Sequence, residues 1–216
     1  MHRFSVIAII YYPMVLTVCL SHVLIIMYFL KVVTSRLETL NSSLCVLWIP
    51  HTICRELTVT LTLRDHICDI VNKINAVYGF TSLLCFAYGS YSMTAEILYL
   101  LDTLTDPKYP FRSLIINVIW VLTFFSLLFH LSATSSAMSD EAKKTAEILS
   151  RAYGKGKDYQ NIIDKFLTKS IRQETKFTAY GFFVIDNSTL FKIISAVTTY
   201  LVILIQFKQL EESKND

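Results

Sequence analysis

The stretch FSVIAIIYYPMVLTVCLSHVLIIMYFL, residues 4–30, runs for 27 residues without an Asp, Glu, Lys or Arg. A helix needs about 20 consecutive apolar residues to cross the hydrocarbon core of a bilayer. Three further apolar stretches come near that length, at residues 76–101, 114–131 and 190–207. The sequence therefore predicts an all-α, polytopic membrane bundle with four transmembrane helices.

The composition of the chain agrees with a bilayer as its solvent. Hydrophobic residues make up 53%, charged residues only 17%, and the mean hydropathy is +0.48. The first apolar run is too long for a signal peptide and no small-residue cleavage site follows it, so we expect a membrane helix there. No run of Lys and Arg is dense enough to make the net charge of +3 a nucleic-acid signal, and no nucleic-acid partner is expected.

The distribution of basic residues predicts the orientation of the chain. Fourteen Lys and Arg fall in the two long connections, between spans one and two and between spans three and four, against five on the other side. The positive-inside rule then places both long connections in the cytoplasm and both termini outside. We expect a multi-pass protein of the plasma membrane with an extracellular C-terminus, opposite to the arrangement of a G-protein-coupled receptor.

Both long connections carry helical patterns. An apolar face is predicted from the spacing of Leu63, Ile67, Ile70, Val71 and Ile74, with Arg64, Asp65, Asp69 and Lys73 on the opposite face. This pattern continues into span two, so spans one and two should project past the bilayer. Ser139 is expected to begin a helix over 142–152, and Asp186 to cap the last span. The amphipathic segment at about 159–168 fits either a helix lying on the membrane or one packed in an intracellular bundle.

The last span carries a narrow stripe of polar and small residues. The residues that share this face are Ala196, Thr199, Val202, Ile203 and Gln206. Such a stripe can face a water-filled axis. Alternatively its Thr and Gln side chains hydrogen-bond to neighbouring helices in ordinary packing, and spacing alone favours this second interpretation.

A second polar and aromatic face lies in the outer half of the spans. It consists of Tyr88, Ser92, Glu96 and Tyr99 on span two, with Tyr11, Tyr12, Asn117 and Trp120 at comparable depth on spans one and three. Aromatic walls with few polar groups suit small organic ligands. A carboxylate inside a span needs water or a partner, although Glu96 can also reach the outer headgroups.

The amino-acid sequence of the last span resembles that of a known family. T-T-Y-L-V-I-L-I-Q-F, residues 198–207, is similar to the C-terminal signature of insect gustatory receptors, a Thr-Tyr pair followed by five apolar residues and Gln-Phe. Three more motifs match in family order: L-R-D-H at 63–66 leading to Asn75, Tyr78 and Gly79; E-A-x-x-T-A at 141–146; and K-F-T-A at 176–179 leading to Gly181, Phe182, Phe183 and Asp186. The resemblance covers nearly the whole chain, but it extends only to the C-terminal half of the family's receptors. Our four spans resemble helices four to seven of these receptors.

The resemblance implies a subunit of a ligand-gated, non-selective cation channel that detects small tastants. Similar receptors form homo- or hetero-tetramers in which the seventh helix of each subunit surrounds a central pore. The pore-lining residues would be Thr199, Tyr200, Val202, Ile203, Gln206 and Phe207, although Gln206 alone could face water. The cytoplasmic helix extensions would form a common anchor, and the residues matching its motifs are Arg64, His66, Asn75, Tyr78, Gly79, Glu141, Thr145, Gly181, Phe182 and Asp186.

The chain divides accordingly into four parts. Residues 1–135 hold three transmembrane helices with a cytoplasmic extension at 31–75, 136–188 form a cytoplasmic helical anchor, 189–208 the pore-lining helix, and 209–216 an external tail. Two alternatives stay open: a non-conducting or truncated receptor acting only as a partner subunit, and a fragment of a G-protein-coupled type receptor. We expect no enzyme activity, metal site or cofactor, because neither a catalytic motif nor paired metal-ligand spacing stands out.

The sequence also contains two glycosylation sequons, at Asn41 and Asn187. Both fall on the inside or at its edge in the predicted orientation. We therefore expect neither to be modified.

Overall fold

The computed structural model describes residues 2–46, 53–105, 111–152, 160–172 and 175–215. Its elements are α1 (His2–Val46), α2 (Ile53–Thr105), α3 (Phe111–Ala152), α4 (Gln160–Arg172), β1 (Thr178–Ala179), β2 (Phe183–Val184) and α5 (Asn187–Asn215). Apart from the two short strands, the regular structure of these residues is helical. The predicted all-α fold class is confirmed.

Four of these helices are long and apolar enough to cross a membrane. The candidate spans are Met14–Cys45, Arg55–Leu101, Leu114–Arg151 and Asn187–Leu210. Helices α1, α2 and α3 have 45, 53 and 42 residues. At a rise of about 1.5 Å per residue, each is at least about 60 Å long, twice the thickness of the hydrocarbon core. The first two helices are thus continuous from their apolar runs into the predicted extensions, and α3 likewise continues beyond its apolar run.

The helix predicted to begin at Ser139 does not begin there. Helix α3 is continuous from Phe111 to Ala152, and Ser139 is a buried residue in its interior. Ser132 and Ser135, three and four residues apart on the same face, are also buried. No Gly or Pro interrupts this part of the chain, and small side chains let neighbouring helices approach closely. The capping sequence is thus overridden by packing.

The core follows one face of each long helix. In α1 the buried side chains recur at three- and four-residue steps: Val23, Ile26, Leu30, Val33, Leu37, Leu40 and Leu44. In α2 the predicted faces were partly wrong, because Leu63 and Ile70 are exposed. Arg64, which the pattern placed on the solvent face, is only 4% exposed.

Helix α4 packs on the bundle. Ile163 and Phe166 on its apolar face are buried in the hydrophobic core. Two interpretations of this amphipathic segment were open, a helix on the membrane and a helix packed in a bundle. The structure shows the second, because the chain itself covers the apolar side chains of α4.

The region 136–188, expected to be helical, also contains a β-hairpin. Thr178 pairs with Val184 and Ala179 with Phe183. Three residues, Tyr180, Gly181 and Phe182, connect the two strands. Tyr180 (φ 53°) and Gly181 (φ 78°) have left-handed backbone, which reverses the chain direction.

The start of the last helix is capped as predicted. The Asp186 carboxylate accepts a hydrogen bond from the Thr189 backbone N–H at 2.6 Å. Helix α5 then continues to Asn215, so the segment expected as a tail is helical up to that residue. The described part of the connection before α5, residues 175–186, is thus organised by the hairpin and the cap.

Candidate functional site

Helix α5 has one packed face and one uncovered face. Leu190, Ile193, Ile194 and Leu201 are buried or packed against the core. At about 100° per residue, the predicted stripe lies on roughly the opposite side of the helix. Its members Thr199, Val202, Ile203 and Gln206 are exposed. The polar stripe is therefore available to water or to another molecule.

The polar residues of this stripe differ in their hydrogen bonding. The Thr199 hydroxyl donates to the Ser195 carbonyl within the same helix, at 2.9 Å. Its neighbour Thr198 makes the same kind of bond to Ile194, also at 2.9 Å. Within the described part of the chain, both hydroxyl groups thus bond to their own helix. The Gln206 amide, exposed on the same face, carries two N–H donors and an acceptor, and these groups need hydrogen-bonding partners in the hydrocarbon core.

An apolar groove of about 510 Å³ separates α5 from α2. Its lining residues are Ser90, Tyr91, Thr94, Ala95, Leu98, Ala196, Val197, Tyr200 and Leu204. Tyr200, predicted to line a pore, is thus part of the groove wall. Sequence reasoning missed the groove, because it forms between two helices whose pairing no local pattern reveals.

The predicted ligand residues of α2 and α3 lie elsewhere. The Tyr88 ring packs edge-on against Phe124 at 5.8 Å between centroids, and Trp120 stacks on Phe124 at 6.2 Å. Ser92 and Asn117 are buried, and neither the Ser92 hydroxyl nor the Asn117 amide nitrogen has a partner in the described structure.

Of the remaining predicted ligand residues, the structure describes the side chains of two. Glu96 is partly exposed and Tyr99 is exposed. Tyr11 and Tyr12 lie in α1 outside the residues whose side chains the structure describes. The Tyr88 face of α2 points roughly 120° away from the face lining the groove, at about 100° per residue.

The hairpin docks on α2 through the side chain of Asn75. The Asn75 amide nitrogen donates to the Lys176 carbonyl at 2.7 Å, and the Asn75 oxygen accepts from the Thr178 N–H at 2.9 Å. Phe177 and Ala179 are fully buried beneath the hairpin. One side chain of α2 thereby holds a segment more than 100 residues away, directly before α5.

Gly79 provides the room for this docking. A Cβ atom at this position would lie 3.1 Å from the Tyr180 nitrogen and 3.3 Å from the Tyr180 Cα. Those are backbone atoms, so a larger residue at 79 would displace the hairpin. Tyr78, next to it, is partly buried, with its ring 6.2 Å from that of Phe29 in α1.

The E-A-x-x-T-A motif takes part in a polar contact between α1 and α3. The Asn41 amide nitrogen donates to the Glu141 carbonyl at 3.0 Å, and the Asn41 oxygen accepts from the Thr145 hydroxyl at 2.7 Å. Asn41 and Thr145 are both buried. A glycan on Asn41 is incompatible with this packing. From the sequence alone, Asn41 is recognisable only as a sequon, and its structural role is not predicted.

The L-R-D-H motif places a cation inside the bundle. The Arg64 guanidinium lies 4.9 Å from the centre of the Phe166 ring of α4, and its Nη2 atom lies 3.5 Å from the Ala142 carbonyl of α3. Asp65 accepts a hydrogen bond from Lys169 of α4 at 2.5 Å. The fourth residue of the motif, His66, is exposed. Arg64, a residue of α2, therefore contacts both α3 and α4.

The 7tm Chemosensory receptor family matches residues 2–211 of this chain. The chain belongs to the insect gustatory receptor family. Gustatory receptor 68a of Drosophila melanogaster is 46% identical over 165 residues, covering 74% of this chain and 42% of that receptor. Gustatory and pheromone receptor 32a of the same species is 68% identical over 95 residues, covering 44% of this chain and 21% of the receptor. The A isoform of gustatory and pheromone receptor 39a is 31% identical over 197 residues, covering 88% and 51%.

The chain spans about half or less of the length of these gustatory receptors. It is a multi-pass membrane protein, with four helices able to cross a bilayer. Within this gustatory receptor chain, residues of three of the four sequence motifs meet at two places. Asn75, Gly79 and the hairpin form one contact, and Arg64, Glu141 and Thr145 lie at the junctions between α1, α2, α3 and α4.

Proposed function

We propose that the chain is a subunit of a ligand-gated cation channel for chemosensory detection, with α5 as the pore-lining helix. The observation that carries the proposal is the uncovered face of α5 with Thr199 and Gln206, opposite the face that packs on the chain. An amide in the hydrocarbon core needs a hydrogen-bonding partner, and water along an axis shared by several subunits would supply one. Four copies of α5 around one axis would form such a pore. The four subunits could be copies of this chain or could include other receptors of the family.

In this arrangement Gln206 lies close to the mouth of the pore. Its amide would replace part of the hydration shell of a passing cation, while Val202, Ile203 and Phe207 would supply an apolar constriction that closes by dewetting. Thr199, whose hydroxyl is bonded to its own helix, would present its methyl group and a free lone pair to the axis. The plasma membrane and an extracellular C-terminus complete the proposal, on the strength of the basic residues in the long connections.

The ligand is proposed to be a small organic tastant, and the α2–α5 groove is the best candidate for its seat. Its volume of about 510 Å³ lies within the range of small-molecule sites, and its walls combine apolar residues with the hydroxyl groups of Tyr91, Thr94 and Tyr200. Because α5 forms one wall, a ligand there would contact the proposed pore helix directly. Two relatives carry the name "gustatory and pheromone receptor", which is compatible with an apolar ligand.

Two threonines test the pore proposal with a matched control. Thr198 and Thr199 are adjacent, both exposed and both bonded to their own helix, yet they point about 100° apart. In channels assembled with a full-length receptor, Thr199→Val and Gln206→Ala are expected to change the relative permeability of Na⁺ and Ca²⁺, whereas Thr198→Val leaves it unchanged. Equal reversal potentials for all three variants would remove this face of α5 from the pore.

The alternatives predict different outcomes in two measurements. A non-conducting partner subunit would change the amount of receptor at the surface without any pore variant changing permeability. A G-protein-coupled type receptor needs an internal C-terminus. An epitope tag after residue 216 should therefore be reached by antibody without permeabilisation if the channel proposal is right, and only after permeabilisation if it is wrong.

A further inference from the structure

The β-hairpin and its surroundings present aromatic side chains that the described part of the chain leaves uncovered. Tyr180 and Phe182 at the turn are 61% and 75% exposed, and Phe191, the fifth residue of α5, is 69% exposed. Phe80 of α2 packs edge-on against Tyr180 at 5.7 Å and is itself exposed. We call these four residues the aromatic tip. The hairpin docks without them, since its buried side chains are Phe177, Ala179 and Ile185.

The aromatic tip lies at the level where membrane-spanning segments end. Counting back from Leu101, the end of the second candidate span, about 20 residues reach to the neighbourhood of Phe80. Phe191 is in the first turns of the candidate span Asn187–Leu210. Ser136 of α3, just past the apolar run 114–131, accepts a hydrogen bond from the Asn187 N–H at 3.1 Å. A 20-residue span counted back from Leu101, the end of the apolar run 114–131 and the start of α5 thus indicate one common depth for the tip.

The backbone of the hairpin is suited to this boundary. Backbone polar groups need internal partners where water is scarce. The Phe182 N–H donates to the Ala179 carbonyl at 3.0 Å, and the Ile185 N–H to the Phe177 carbonyl at 2.9 Å. The bonds from Asn75 satisfy two further groups. The hairpin can thus approach the acyl chains without leaving these groups unpaired.

The surface around the aromatic tip continues that of a membrane-spanning helix. Along α2 an exposed apolar face is formed by Val77, Phe80, Leu84 and Tyr91, at steps of three, four and seven residues. The tip extends this face sideways at its end. Lys192, exposed beside Phe191, adds a cation that can pair with lipid phosphates.

We propose that the aromatic tip inserts between the phospholipids at the boundary of headgroups and acyl chains, so that the hairpin is a lipid-contacting wedge. Aromatic side chains concentrate at this depth in membrane proteins because their rings favour the interface. Asn75 ties the wedge to α2, and Asp186, two residues beyond β2, caps α5. Lipid contact at the tip would fix the depth at which α5 enters the membrane. The proposal needs the membrane-spanning helices, but not the channel function.

Photo-crosslinking separates lipid from protein as the occupant of this surface. The full chain would carry benzoylphenylalanine at position 182 and be reconstituted in vesicles of phosphatidylcholine and phosphatidylserine. We expect irradiation to add the mass of one phospholipid to the peptide that contains position 182. The same probe at buried position 177 is the control and should yield no lipid adduct. An adduct with a second copy or with another segment of the chain, or no adduct above the control, would overturn the proposal.

A second measurement reads depth without a crosslink. The probe is Phe182→Trp in a chain with Trp48→Phe and Trp120→Phe, so that position 182 carries the sole tryptophan. Since Phe182 is largely exposed, this change should leave packing intact. Phospholipids brominated high on the acyl chain should quench its fluorescence more strongly than those brominated near the chain end. Quenching only by aqueous iodide would place the tip in water and reject the wedge.

Discussion

Asn75 is a single side chain on which a tertiary contact depends. It uses both its donor and its acceptor on the hairpin backbone. Asn75→Ala leaves the Lys176 carbonyl and the Thr178 N–H without these partners, and we expect the free energy of unfolding to fall by about 1–3 kcal/mol. Denaturant titration in detergent measures the change. Asn72→Ala, one turn earlier and exposed, is the matched control and should change stability by less than about 0.5 kcal/mol. Equal losses for both would contradict the role of Asn75.

Asn41 and Thr145 form a second buried polar contact, and its contribution to stability can be measured as a coupling free energy. Their side chains bond at 2.7 Å and both are buried. In a double-mutant cycle of Asn41→Ala and Thr145→Ala, we expect a coupling of about 0.5–3 kcal/mol in the free energy of unfolding. Ser43, which is exposed and donates to the Thr39 carbonyl of its own helix, serves as control with Thr145. That second cycle should be additive, and a coupling as large as the first would mean that the effect is not specific to Asn41.

Individual residues were the least predictable level of the structure. The periodicity of residues 63–74 placed Arg64 on the solvent face, because a charged side chain breaks an apolar pattern. Its burial depends on the Phe166 ring and the Ala142 carbonyl, which come from two other helices. The sequon at Asn41 likewise gave no sign of the contact with Glu141 and Thr145, which lie about 100 residues away. Asp186, by contrast, was predictable, since its cap is made within three residues.

At the scale of elements, substitution of two glycines of α2 by alanine is expected to have different effects on the thermal stability. In a helix interior, Gly→Ala gains up to about 1 kcal/mol from helix propensity. At Gly79 the new Cβ meets the Tyr180 backbone at 3.1 Å, and overpacking costs about 1–3 kcal/mol. At Gly89 it meets only the Leu128 side chain at 3.3 Å, which can adjust. We expect Gly79→Ala to lower the midpoint of thermal unfolding and Gly89→Ala to leave it unchanged or raise it. The reverse order would refute the close approach of hairpin and helix.

The long helices could be read from the sequence, whereas the hairpin could not. Runs of 18 or more apolar residues specify a membrane helix locally, so all four spans were found. Strands of two residues leave no periodic signal. Their stability comes from Asn75 and from the space above Gly79, about 100 residues earlier in the chain. The α2–α5 groove was missed for the same reason, because it exists only once the two helices are paired.

At the scale of the whole molecule, the uncovered surfaces have a consistent distribution. Buried polar contacts, such as that of Asn41 with Thr145, join the long helices beyond their apolar runs. Helix α4 packs against the same part of α2 and α3. Helix α5 instead contributes one packed face and leaves Thr199 to Gln206 uncovered. Polar interior contacts fix a unique arrangement, while an uncovered polar stripe in a membrane helix requires water or another chain. The element connecting these two regions is the hairpin, held by Asn75 at one end and followed by the Asp186 cap at the other.

Cysteine crosslinking tests whether the uncovered face of α5 meets its own copies. The chain contains five native cysteines, which would first be replaced by alanine. Ile203→Cys then places a thiol on the uncovered face, and Ile194→Cys places one on the packed face as the control. If copies of α5 surround a common axis, the Cα atoms of residue 203 in neighbouring copies come close together. A disulfide can form when their separation is about 4–7 Å. Oxidation in membranes should then yield covalent dimers from Ile203→Cys and only monomers from Ile194→Cys. Dimers from the control alone would mean that the packed face opens in the assembly, and the assignment of α5 to a shared axis would be wrong.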